Sequence, residues 1–142
     1  MNQQEKRYAA LAPILALAGV FAHPAASPLL ALALFFVFYW RGMILAQRIA
    51  LRAADLSFTA QLYLILGSLV LALYYNFNPD SGTVVRQLMG LLTLAVLAWL
   101  IVSLLVGTVQ AFLGRAIHYP LSLRIAERVF DAVSRKQEGG GK

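Results

Sequence analysis

Hydrophobic positions in this chain are gathered into long runs rather than spaced along one face. Residues 88–112 read LMGLLTLAVLAWLIVSLLVGTVQAF, 25 positions without Asp, Glu, Lys or Arg, in which Thr93, Ser103, Thr108 and Gln110 are the plainly polar side chains. As a helix the run covers about 37 Å, enough to cross a hydrocarbon layer ~30 Å thick with some tilt. Its apolar side chains go all the way round, where a soluble helix would keep one polar face. A second uncharged run, residues 56–77, ends in Tyr74, Tyr75 and Phe77, aromatics of the kind that settle at headgroup depth.

A third uncharged run, residues 8–40, is 33 positions long. One straight helix of that length would reach about 50 Å, too long for a single crossing. Its middle reads His23-Pro24-Ala25-Ala26-Ser27-Pro28, and proline ejects the residue before it from the helical region. The pattern predicts a helical hairpin, residues 8–22 out and 28–40 back. Its arms are short, roughly 20–23 Å, with Lys6, Arg7 and Arg41 extending their charged ends to the headgroups. A re-entrant hairpin that never reaches the far side is the alternative. A cleaved leader fits loosely with Lys6-Arg7 and a small-residue site near Ala22, but Pro24 just past that site favours a retained segment. The predicted fold class is therefore all-α: a polytopic membrane helix bundle forming one domain over 1–142. Its four transmembrane helices span about 5–22, 28–45, 56–77 and 88–113.

Residues 41–55 (RGMILAQRIALRAAD) form an amphipathic inner connection. At helical spacing Arg41, Arg48, Arg52 and Asp55 share an arc of about 60°. Such a stripe suits a segment lying in the interface or the extended inner end of a span. It reads either as a docking surface for a partner or acidic lipid, or as a solvated face that obeys topology. On the following span Ser57, Gln61 and Ser68 share a face with Tyr75, a pattern that marks helix–helix packing. Asn76 to Gly82 (NFNPDSG) is a turn, with Asp80 or Ser81 placed to cap the next helix. Along that last span Trp99, Ser103, Gly107, Gln110 and Gly114 lie on one broad face. Ser103 and Gly107 have the small-xxx-small spacing that permits close approach.

After His118-Tyr119-Pro120, residues 121–136 predict an amphipathic helix. Ile125, Ala126, Val129, Phe130 and Val133 lie on one side, and Arg124, Arg128, Asp131 and Arg135 on the other. Tyr119, Pro120, Arg124 and Arg128 join the basic stripe as candidate docking residues. Residues 137–142 read as a flexible tail.

Composition agrees with the runs: 61% hydrophobic, 13% charged and a mean hydropathy of +0.73. The absence of cysteine excludes disulfides, Cys-ligated zinc and thiol chemistry. The net charge of +6 in a soluble chain would point to nucleic acid; beside spanning segments it points to topology and anionic headgroups. With four crossings one side receives Lys6, Arg7, Arg41, Arg48, Arg52, Arg115, Arg124, Arg128, Arg135, Lys136 and Lys142, and the other only Arg86. Both termini are accordingly expected in the cytoplasm or its organellar equivalent.

Candidate chemistry is sparse. His23 and His118 fall on opposite sides in this topology and cannot share a metal. No Gly-rich phosphate loop, H-E-x-x-H or nucleophile elbow is present, and no ionisable residue sits deep in a predicted span. Asp55 is the one acid beside a span on the basic side, placed to pair with Arg52 or Arg48. No catalytic residue, metal or cofactor is expected.

Three segments resemble a known family: Glu5-Lys6-Arg7-Tyr8-Ala9-Ala10-Leu11-Ala12, Arg52-Ala53-Ala54-Asp55, and Gln110-Ala111 through Tyr119-Pro120-Leu121-Ser122-Leu123-Arg124-Ile125. The chain is similar to the bacterial four-span family of unknown function related to the membrane-channel subunit of the chloroplast inner-envelope translocon (Tic). Departures are Pro13, where the family often has histidine, and Arg52 with Asp55, where it favours a histidine-alanine-x-glutamine pattern. The resemblance implies four membrane helices, no cofactor and a link to protein translocation or membrane-complex assembly. The expected function is thus a non-enzymatic scaffold, assembly or accessory subunit. It would bind lipids and other membrane proteins or further copies of itself, and no nucleic acid. The alternative is a component of a path for polypeptide or solute, with a hydrated groove beside Ser57, Gln61, Ser68 and Gln110.

Overall fold

The computed structural model describes residues 3–23, 26–115, 119 and 122–139; side chains are described for these except at 126, 127 and 135–139. Among the described residues the architecture is all-α, with helices α1 (Gln3–Ala22), α2 (Ala26–Trp40), α3 (Ile44–Phe77), α4 (Gly82–Phe112) and α5 (Ile125–Gly139). A single 3-10 turn, Pro79–Ser81, joins α3 to α4. Two stretches, Ile44–Phe77 and Pro79–Phe112, are long and apolar enough to cross a membrane, and Ala26–Trp40 is a shorter apolar helix.

Helix ends follow local chemistry. α2 stops at Gly42, whose φ of +68° costs glycine nothing. Gly42 N–H donates to Tyr39 O (3.1 Å) and Met43 N–H to Phe38 O (3.1 Å), the paired bonds of a Schellman stop. α4 ends the same way: Gly114 has φ +76°, its N–H donates to Ala111 O (3.0 Å), and Arg115 N–H donates to Gln110 O (2.9 Å). At the α3–α4 turn Ser81 holds the N-cap position, yet its hydroxyl donates back to Asn78 O (2.6 Å) and caps nothing. The expected side-chain cap from Asp80 or Ser81 is therefore not made, because the 3-10 turn brings that hydroxyl onto the Asn78 carbonyl instead.

α3 is the element that α1, α2, α4 and α5 all touch. Its first half is lined with small side chains: Ala46, Ala50, Ala53, Ala54 and Ala60 are wholly buried. They meet Ala9, Ala10, Ala12 and Ala16 of α1, Ala31 of α2 and Ala111 of α4, with Leu56, Leu104, Phe35 and Phe38 filling the remaining core. Side chains this small let helix backbones approach closely, so dispersion accumulates over many short contacts. α1 carries Pro13 inside this packing, buried and without an N–H to donate to the preceding turn.

Individual contacts set the register. Leu45 N–H donates to Glu5 Oε1 (3.2 Å), so α1 begins level with the start of α3. At the other end of α1 a Cβ on Gly19 would stand 2.9 Å from Ser27 Cα, and Ser27 Oγ lies 2.9 Å from Ser57 Oγ. The α1–α2 hairpin thus turns near the level of Ser57 to Leu62, about 23 Å short of Phe77. Beyond that level α3 and α4 continue as a pair, with Leu92 packed on Gly67. Their outer faces carry Ile65, Leu66, Leu69, Val70, Leu73, Leu91 and Leu94, all exposed.

Three sequence expectations change. Residues 44–77 form one helix about 51 Å long, merging the predicted connection and third span. Arg41 is not on that helix: the Gly42 turn sets it apart from the arc of Arg48 and Arg52. The last helix begins at Ile125 rather than 121 and continues through Gly139, into the expected tail.

At Gly19 the α1 and α2 backbones come close, and the two nearest atoms that an added Cβ would meet are backbone atoms of Ser27. Gly19→Val is expected to destabilise the fold by about 1–3 kcal/mol. The check is thermal unfolding in mild detergent, with Gly90→Ala, where nothing lies within 4 Å of an added Cβ, expected to lose no stability.

Candidate functional site

The polar side chains that the fold brings together lie in the half of the molecule where α1, α2, α4 and α5 pack around α3. Thr59 organises part of it. Its hydroxyl donates to Asp55 O (2.7 Å) and accepts from Leu123 N–H (3.1 Å), so the segment following α4 is tied to α3 across 64 positions of sequence. Tyr119 of that segment is buried against Gly107, where an added Cβ would overlap the phenol oxygen. Burial pushes the Tyr119 phenol up to about 12, the charge of Arg52 pulling the other way. The segment ends at Arg124, whose φ of 51° is left-handed, and α5 starts there as Arg128 N–H donates to Arg124 O (3.1 Å).

α5 is fastened by one aromatic side chain. Phe130 meets the ring of Phe35 edge-on at 5.3 Å and that of Tyr39 at 6.1 Å. Between α2, α3 and α5 runs an apolar groove of about 680 Å³, lined by Leu32, Phe35, Phe36, Tyr39, Trp40, Leu51, Phe58, Gln61, Leu62, Ile65, Ile125, Val129, Phe130 and Val133. Beside it lies a smaller polar hollow of about 400 Å³, lined by Ile44, Gln47, Arg48, Leu51, Arg52, Phe130 and Asp131. Leu51 and Phe130 belong to both.

The candidate docking residues divide. Arg48 and Arg52 line the polar hollow, Arg48 exposed and Arg52 half-buried. Arg41 is exposed in the α2–α3 turn, and Arg124 and Arg128 are exposed on the α5 side. Asp55 is not part of a solvated stripe: at 1% exposure it lies inside the bundle, on the half of α3 that the other helices cover. Pro120 and His118 lie outside the described residues, as do residues 140–142 of the tail. His23 sits exposed in the α1–α2 turn, level with the middle of α3 rather than with its far end.

The packing residues also separate. Ser57 is buried in its hydroxyl pair with Ser27, while Gln61 faces the apolar groove. Ser68 returns its hydroxyl to Leu64 O of its own helix. Ser103 and Gly107 are buried on α4, and what approaches Gly107 closely is the Tyr119 side chain rather than another helix. Gln110 is half-buried, and its Oε1, like Trp99 Nε1, has no hydrogen-bond partner among the described residues. Sequence reading missed the Ser27–Ser57 pair, the Phe130 contacts and the groove. The available signal was Ser27 flanked by Pro28, and Phe130 central on the apolar side of α5. Among the described residues no group of three or more His, Cys, Asp or Glu could hold a metal ion.

Thr59→Val removes both the donor to Asp55 O and the acceptor for Leu123 N–H, leaving a part-buried amide unsatisfied. A loss of about 1–3 kcal/mol is expected, read as faster amide exchange at Leu123 and earlier proteolysis after Arg124. Tyr119 supplies a pH test. In the unfolded chain a tyrosine ionises near 10, so above that pH the unfolded state binds fewer protons and stability falls until the buried phenol itself ionises near 12. Tyr119→Phe should flatten that alkaline loss in thermal unfolding scans taken between pH 9 and 12.

Comparison of the chain with protein-family models, with curated proteins and with solved structures gave no match.

Proposed function

We propose that this chain is an integral membrane protein without enzymatic activity. It serves as a scaffold, assembly or accessory subunit for other membrane proteins or further copies of itself. The observation that carries the reading is the projecting half of α3 and α4. About 23 Å of two-helix hairpin extends past α1 and α2, with exposed Ile65, Leu69, Val70, Leu91 and Leu94 around it. In water so continuous an apolar surface is unstable. In a bilayer it is a lateral surface open to another helix, with Gly90 unobstructed in its midst. The resemblance to the bacterial relatives of the Tic channel subunit supports the same class.

The same geometry favours a topology of two full crossings, α3 and α4, with the α1–α2 hairpin entering from the cytoplasmic side of a bacterial inner membrane to about mid-depth. A hairpin entering and leaving by one face keeps Lys6, Arg7, Arg41, Arg48, Arg52 and Arg115 on a common side, as four crossings would. Tyr74, Tyr75 and Phe77 then reach the opposite interface.

Single cysteines at His23, Ser81 and Arg41 separate these topologies. Impermeant thiol reagents are expected to label Ser81→Cys from outside, Arg41→Cys only after the membrane is opened, and His23→Cys from neither side. Outside labelling of His23→Cys would establish four crossings instead. For the functional reading, a photo-crosslinking side chain at Leu69 or Leu94 should give a discrete protein adduct or dimer in native membranes. Lipid adducts alone at both positions would overturn it.

A further inference from the structure

Between Asp55 and Arg115 the chain carries two ionised side chains, Asp80 and Arg86, one of each sign and both at the far end of the α3–α4 hairpin. Asp80 lies in the 3-10 turn, and Arg86 lies in the second turn of α4, about 6 Å along the axis from Gly82. Both are exposed, and among the described residues neither side chain forms an ion pair or a hydrogen bond. Next to Arg86 the two helices leave a mostly apolar groove of about 670 Å³, whose lining includes Tyr75, Gly90, Thr93 and Leu94. Thr93 returns its hydroxyl to Met89 O (2.8 Å), so it needs no partner from outside. An added Cβ on Gly90 would meet nothing within 4 Å, which leaves the α4 backbone bare at that point, and Leu94 one turn on is 65% exposed.

Copies of one chain inserted in a bilayer point the same way. A closed pair therefore has its twofold axis along the membrane normal, and each residue meets the other copy's residues at its own depth. A surface that pairs with itself about that axis needs a place where backbones can approach and both signs of charge near one level. The far end of α4 has both: Gly90 for the approach, and Asp80 with Arg86, whose long side chain extends toward the interface. An anionic headgroup would answer Arg86 and repel Asp80, whereas a twofold mate answers both.

We propose that a second copy of this chain docks here, α4 against α4 across Gly90. Leu94 of each copy enters the groove of the other, and Arg86 of each copy pairs with Asp80 of the other. The proposal rests on the membrane reading above and names the partner of its lateral surface.

The chain has no cysteine, so single introduced cysteines report cleanly. With the full chain in phosphatidylcholine vesicles, oxidation should join Gly90→Cys into a disulfide dimer about tenfold faster than Leu91→Cys. Leu91 is exposed at nearly the same depth but turned about 100° round the helix. Energy transfer between donor- and acceptor-labelled copies, followed as lipid is added, measures the pairing itself. Arg86→Glu and Asp80→Lys should each weaken it about fivefold, and the double variant should regain it. Equal crosslinking of Gly90→Cys and Leu91→Cys, or no recovery in the double variant, would overturn the pair. A photo-crosslinking side chain at Leu94 in native membranes separates this proposal from the reading beneath it. An adduct to a different protein with no homodimer defeats only the proposal, and lipid adducts alone at Leu69 and Leu94 defeat both.

Discussion

A difference in length governs this molecule. α3 runs for 34 residues, while α1 and α2 have 20 and 15. The short pair packs on the first half of α3 through alanines, Ala46, Ala50, Ala53, Ala54 and Ala60 facing Ala9, Ala12, Ala16 and Ala31. Alanine contributes little transfer energy per residue, so the strength of this half comes from close, extended backbone approach, with Leu56, Leu104, Phe35 and Phe38 as the few large side chains. The other half has no such cover, and its leucines and valines point outward.

The two halves have opposite characters. The covered end collects the charged side chains of the start of α1, the α2–α3 turn and the exit of α4. The uncovered end is apolar until Asp80 and Arg86. Chain breaks maintain the division: glycine at 42 and at 114 ends a helix within one residue, so Arg41 and Arg115 emerge at the same end. The return segment is then tied down by Thr59 and Tyr119, and α5 by Phe130. Without those three contacts α5 would be a detached amphipathic helix, and the groove would lack its third wall.

Several hydroxyls inside the covered half are bonded one to one, to a second hydroxyl or to a backbone group. Ser27 meets Ser57, Thr59 serves both Asp55 O and Leu123 N–H, and Thr108 returns to Leu104 O. Such bonds fix register because a buried hydroxyl without its partner is costly. That is a structural use of polarity.

Much of this was legible from residues alone. Uncharged runs at 8–40, 56–77 and 88–112 dictate helices, since a backbone surrounded by apolar side chains satisfies its hydrogen bonds most readily within itself. His23-Pro24 and the Asn76 to Gly82 stretch dictate where those helices stop, and the Lys and Arg that flank the runs mark their polar ends. These are local properties, readable over a few turns. How far α1 and α2 reach along α3, that Asp55 is covered while Arg48 is not, and that Arg41 leaves the stripe were decided by tertiary contacts. So were the insertion of Tyr119 against Gly107 and the seating of Phe130 between α2 and α3. Each depends on which small residue meets which neighbour across tens of positions, and hydropathy, which takes the same value whatever lies opposite, carries no record of it.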